Sequence, residues 1–258
     1  MGPESISAGS AAAAEGIVQA GAAAKPELAD IETDYQVQDD QTADWSPSLF
    51  GAIPLGGIGG TRNLTVTEGQ LLDRLTLDQG FLGLKQFSDI HDQAFTEADA
   101  RFATPASPPP VVAAQIAALP PGEQQKALAM WQGNDGHNDA FRHANWSAQL
   151  TRAFGEEWTV QFTTAHEARP GNPGIREAMD LYNNSIGIQI AADNPRASAA
   201  ELADLVAEAV ADGETVVVNQ AGNLEWSNNV MIGTHGLAPS ATSPGVIAVP
   251  NGDASANN

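Results

Sequence analysis

No cysteine occurs anywhere in the chain, so disulfides, thiolate zinc ligands and cysteine nucleophiles are all excluded. Positive charge is scarce as well: 11 Lys and Arg stand against 32 Asp and Glu, a formal net charge of −21 over 258 residues. Such an acidic envelope repels nucleic-acid backbones and anionic membrane surfaces, and it suits a secreted protein or one adapted to salt. No apolar run approaches the ~18 residues of a transmembrane span, and Met-Gly-Pro-Glu-Ser at the start lacks the basic region of a signal peptide. The compartment expected from these absences is cytoplasmic before export, with release by a signal-peptide-independent route.

What is present divides unevenly. Residues 1–45 are rich in Ala, Gly, Ser and acids and read as a flexible acidic segment or a short solvated helix. Residues 46–110 combine an apolar, Gly-rich loop with a helical sub-domain. The loop reads as packing on the domain, or as a contact with a partner or membrane surface. Thr67 with Gln70 has the spacing of a capping box ahead of Leu71, Leu72 and Leu75, and a second helix is expected over 81–102. The stretch T-P-A-S-P-P-P then breaks the chain near Pro110.

Residues 111–235 form the expected core. Short helices over 111–119 and 122–131 lead into three longer ones, from Asn138 or Asp139 to Gly155, from Glu156 to Ala168 and from Gly174 to Ala192. A fourth follows the capping box of Ser198 with Glu201 and stops at Gly213. T-V-V-V-N and L-E-W-S-N then read as a hairpin, and 236–258 as a disordered tail. The fold class is mainly α, an orthogonal or antiparallel helical domain with a small C-terminal β-hairpin.

Chemistry-bearing residues concentrate between 135 and 187. Asp139, His143 and Ser147 are spaced i, i+4, i+8, which puts them on one helix face. His166 and Glu167 close the next helix, and Glu177, Asp180, Asn184 and Gly187 form a polar stripe on the third, where the glycine allows another helix to approach. The candidate catalytic residues are His143, His166, Glu167 and Asp180, and Arg142 and Asn184 are candidates for substrate binding. Asp139, His143, His166 and Asp180 are candidate ligands of a divalent metal, Zn or Mn. A metal-free alternative makes His143 a general base oriented by Asp180, with His166 as the acid. Residues 138–192 hold four arginines against six acids, so an anionic substrate would meet less repulsion there than elsewhere. His137 is a further candidate ligand, whereas His91 and His235 read as ordinary and Trp146 and Tyr182 as packing residues. Ser147 lacks a nucleophile elbow, and D-G-H-N-D lacks the ligand pattern of a calcium loop. A purely structural reading pairs Arg142 with Glu167 or Asp180 and uses Asp139 as a helix cap.

Three elements, D-A-x-R-H-A-x-W, H-E and M-D-x-x-N-N-x-x-G, resemble the pattern of an uncharacterised bacterial helical domain family often found in secreted or toxin-like proteins. Here they are Asp139 to Trp146, His166-Glu167 and Met179 to Gly187, within roughly 130–228. The resemblance implies an effector setting, with a secretion-system component or a cognate immunity protein as partner, and supplies no reaction. Three function classes stand at this point. The first is an antibacterial effector hydrolysing an envelope component such as a lipid or phosphate ester, with or without a metal. The second is a non-catalytic module of a secretion or contractile-injection system. The third is a metal-independent phospholipase-like His-Asp hydrolase.

Overall fold

The apolar periods and helix stops read above set most of the architecture. A computed structural model describes residues 25–49, 53–54, 60–240 and 243–247, and these form a mainly helical chain. The helices are α1 (Leu28–Asp34), α2 (Val66–Phe102), α3 (Pro110–Ala117), α4 (Pro121–Gly133), α5 (His137–Phe154), α6 (Glu156–Glu167), α7 (Gly174–Asp193) and α8 (Ala199–Asp212). Antiparallel two-stranded ribbons complete the described fold. β1 (Thr42–Trp45) pairs with β4 (Arg62–Thr65), and β2 (Ser48–Leu49) with β3 (Ile53–Pro54). β5 (Val216–Val218) pairs with β6 (Leu224–Trp226), the hairpin expected from the sequence, and β7 (Pro239–Ser240) pairs with β8 (Ser243–Ile247).

Helix α5 is the axis of the molecule. Every residue from 137 to 150 is buried, although many are polar, because α2, α6, α7 and α8 all pack against it. Its end is set by Gly155, whose φ of 91° no helix can continue and which also precedes the first turn of α6. Glu156 and Glu157 in that first turn complement the positive end of the helix dipole. Three apolar clusters surround α5. Trp146 and Leu150 join Leu72, Phe87 and Phe162 on the α2–α6 side. Phe141, Ala144 and Ala148 meet Leu202, Val206 and Val210 of α8, while Ala140 faces Met179, Tyr182 and the valines of β5. Burying each large side chain of this kind contributes roughly 1.5–3 kcal/mol.

Helices α5 and α7 approach each other closely. A Cβ at Gly187 would lie 2.6 Å from the Ala144 carbonyl carbon and 2.9 Å from its Cα. The absence of a side chain there lets the polar stripe of α7 reach α5.

Several elements differ from the sequence expectation. Within the segment read as flexible or solvated, Leu28–Asp34 is a helix that buries Ile31 completely against α7, because Ile31 and Tyr35 close the cluster around Tyr182. Residues 1–24 lie outside the described residues, as do 50–52 and 55–59 of the Gly-rich loop and 241–242 and 248–258 of the tail, whose described part was expected to be disordered and instead pairs as β7 and β8. The capping box of α2 is Thr65 with Glu68 rather than Thr67 with Gln70. Thr65 Oγ1 accepts from the Glu68 N–H at 3.1 Å and the Thr65 N–H donates to Glu68 Oε2 at 2.7 Å, while the Thr67 N–H is taken by Asp40. The two helices read over 67–102 meet at Gly80, whose φ of 66° and ψ of −162° break the α2 ladder.

Candidate active site

Four helices bring side chains into two adjoining groups. From α5 come Asp139, Arg142, His143 and Ser147, from the end of α6 His166 and Glu167, from α7 Asp180 and Asn184, and from the first turn of α2 Glu68. His143 is at the centre. Its Nε2 lies 3.4 Å from Asp139 Oδ1 and 3.7 Å from Asp180 Oδ1, and its Nδ1 lies 3.6 Å from Glu167 Oε1. The His143 and Asp180 side chains are only 4% and 5% exposed, so water does not screen these interactions. Asp139, His143 and Asp180 each offer a ligand atom within 4.8 Å of the others, a buried group that can hold a metal ion.

The polar atoms of this centre are not satisfied by one another. His143 Nδ1, Glu167 Oε1, Asp180 Oδ1 and Asn184 Nδ2 are buried and have no hydrogen-bond partner within the protein. Such atoms are rare in folded proteins and converge where an ion, a proton or solvent completes the network. Asn184 is fixed for this role, since its Oδ1 accepts from Ser147 Oγ at 2.7 Å and leaves Nδ2 free.

Charge explains the arrangement. Arg176 donates from Nε and Nη2 to both oxygens of Asp135 at 2.8 Å, and Arg142 pairs with Asp139. Two buried carboxylates, Glu167 and Asp180, are left beside one imidazole. Burial, reinforced by the nearby Asp139 and Glu167 charges, pushes the Asp180 carboxyl well above its ordinary value. Burial would raise Asp139 too, yet the Arg142 guanidinium, His143 and the Asp135 N–H outweigh it and hold that carboxyl well below the usual range. Neighbouring acids with carboxyls pushed in opposite directions are a frequent signature of functional sites.

His166 belongs to a second pair. Its Nδ1 is 2.8 Å from Glu68 Oε1, its ring centroid is 6.3 Å from that of His143, and it is not part of the Asp139–His143–Asp180 group. Burial lowers the basicity of His166, but the Glu68 hydrogen bond and charge prevail and raise its pKa. The His166 side chain is 22% exposed and lines a cleft of about 730 Å³ between α2, β1, β4, α5 and α6. Arg142 lines the same cleft, with its guanidinium 4.7 Å from the Phe95 ring centroid.

Other expectations resolve differently. Asp139 does not cap α5. Gly136 occupies that position, and Asp139 Oδ2 instead accepts the Asp135 N–H at 2.7 Å. Arg142 pairs with Asp139 and not with Glu167 or Asp180, because the i, i+3 spacing keeps Asp139 within its reach. His137 is turned away, its Nε2 2.9 Å from the Ser227 carbonyl oxygen. Glu68, Asp135 and Arg176 were missed by sequence reasoning. Thr65 to Glu68 does carry the capping-box spacing, which could have drawn attention to Glu68, but no local pattern links it to a histidine 98 residues away.

The fold and this centre define a helical domain built around a buried carboxylate–imidazole cluster. Residues 110–214 match the model of a family described as Domain of unknown function (DUF6973), which is in keeping with the expectation of an uncharacterised domain family. The matched stretch holds α3 to α8 with every motif residue, and it leaves out α2 with Glu68. Neither a curated protein nor a solved structure matches the chain.

Proposed function

We propose that the chain is a hydrolase of an ester or phosphate ester, centred on His143 and assisted by a divalent metal at Asp139, His143 and Asp180. The observation that carries this reading is the buried Asp-His-Asp group with unpaired polar atoms beside it. One imidazole and two carboxylates suit Zn or Mn, and three protein ligands leave a position for water or substrate. A metal held there supplies Lewis acidity and an activated water. The remaining work falls to the chain. The Glu167 carboxylate, 3.6 Å from His143 Nδ1, places a negative charge on that side of the ring, while Nε2 lies toward Asp139 and Asp180. Glu68 accepts the Nδ1 proton of His166, so His166 Nε2 is free to take or return a proton in the cleft. The effector setting and its immunity or secretion-system partner rest on the sequence resemblance.

Burial of the triad favours a second reading, in which the cluster only specifies how α5, α6 and α7 pack. Calorimetric titration of chelator-treated protein with Mn²⁺ or Zn²⁺ separates the two. The hydrolase reading expects one ion per chain, at least ~10-fold weaker binding in His143→Ala, and turnover of p-nitrophenyl phosphate or acyl esters that the same variant loses. Absence of ion binding together with absence of turnover would leave only the packing role.

A further inference from the structure

The cleft beside His166 has a charge opposite to that of the whole molecule. Arg62, Lys85, Arg142 and Arg169 line it, against Glu68 and Asp89. Both acids are engaged, Glu68 by His166 and Asp89 by Lys85, and Arg142 is held by Asp139. Among the described residues, Arg62 and Arg169 form no direct ion pair with a carboxylate, although the Arg169 charge is felt by Glu68. Arg169 reaches only neutral groups of Asn63, at 2.8 Å and 3.5 Å, and its buried Nε has no partner at all. Two guanidinium groups outside any direct ion pair, in a chain of net charge −21, make the cleft a place where an anion is attracted and not repelled.

Beyond these charges, with Thr61, Asn63, Ser88 and His91 at intervals, the larger part of the cleft wall is apolar. Leu72, Leu84, Phe87, Trp146 and Phe162 face it, with Phe162 in edge contact with both Phe87 and Trp146. A volume of about 730 Å³ is that of a site for a small organic ligand and far exceeds what an inorganic anion fills. We infer that this cleft binds a single-chain anionic amphiphile, its phosphate or carboxylate head at Arg62 and Arg169 beside His166 and its hydrocarbon chain along the aromatic wall. As the substrate class of the proposed hydrolase, the inference rests on that reading; as a statement about binding, it stands or falls separately.

Calorimetry on the full chain tests it, using dodecyl phosphate below its micelle threshold against dodecylphosphocholine and inorganic phosphate. The expected result is one dodecyl phosphate per chain, with the other two probes at least ~10-fold weaker and Arg62→Gln and Arg169→Gln each costing about tenfold. His143→Ala should bind as the parent does even where turnover is lost, so failed hydrolysis with intact binding counts against the reaction alone. Arg62 is exposed on β4, and its variant decides the matter if Arg169→Gln melts early. Failure of dodecyl phosphate to bind, equal affinity for either control probe, or affinity unchanged in the arginine variants would overturn the inference.

Discussion

Replacing Gly187 by alanine should damage this protein far more than one methyl group suggests. The added Cβ would overlap the Ala144 carbonyl group, lying 2.6 Å from its carbon where ordinary contact begins at 3.4 Å. The obstructing atoms are backbone, so no rotamer change relieves them and α7 must move about 1 Å from α5. Overpacking of this kind costs about 1–3 kcal/mol, and a shift of the whole helix pair puts the change at the upper end. The better helix propensity of alanine returns roughly 0.5–1 kcal/mol. A net loss of about 2 kcal/mol corresponds to a melting temperature lower by roughly 4–8 °C for a chain of this size. Gly122→Ala is the control, because that exposed glycine has nothing within 4 Å of the same added atom. Since Ala144 follows His143 and Gly187 shares its helix stripe with Asp180, metal binding should weaken along with stability. Thermal melts in which Gly187→Ala and Gly122→Ala both match the parent would refute the argument.

Arg176→Met strands the Asp135 carboxylate, which also accepts the Ala238 N–H at 3.0 Å, and should cost ~3–5 kcal/mol in denaturant unfolding. The double variant with Asp135→Asn should recover part of that loss, and a double variant no more stable than the single one would contradict a paired charge. The His166 pKa is raised by Glu68, so its stabilisation is full below the ordinary value of 6.5 and is lost as pH rises through the folded value. Glu68 is shifted down, so its own contribution is present above 4.5 and lost on acidification. NMR titration should accordingly show a lower His166 pKa in Glu68→Gln. Glu177, 5% exposed and pushed up to about 7 mainly by burial, stabilises the fold below 4.5 and loses that contribution as pH rises through 7. Glu177→Gln should therefore melt higher than the parent at pH 8, by the equivalent of ~2–3 kcal/mol, with the two converging near pH 4.

Much of the fold was legible because its helix ends are chemically marked. Gly155, the prolines around 170–173, the Ser198–Glu201 box and Gly213 place the limits of α5 to α8 within a residue or two of their positions read from the sequence. The convergence of Asp139, His143, Glu167, Asp180 and Asn184 was legible for the same reason, since helical spacing puts each on a defined stripe. What depends on partners distant in sequence was not. Periodicity put Asp139, His143 and Ser147 on one face of α5, yet all of its sides are enclosed, which follows only from four helices meeting around it. Leu28, Ile31 and Tyr35 are spaced i, i+3, i+7, but so short a repeat among acids does not stand out from the polar composition around it, and the contact with α7 is what makes Ile31 core. The Glu68–His166 pair joins two segments whose local sequences say nothing of each other.

That pair also divides responsibility between two parts of the chain. The stretch from 110 to 214 supplies the imidazole, but the carboxylate that sets its basicity arrives on α2, from outside that stretch. In a protein sharing the stretch but carrying a different preceding helix, His166 would titrate elsewhere and line another opening, although every motif residue stayed the same. The proton affinity of this site is thus a property of the junction between two segments, and neither owns it alone.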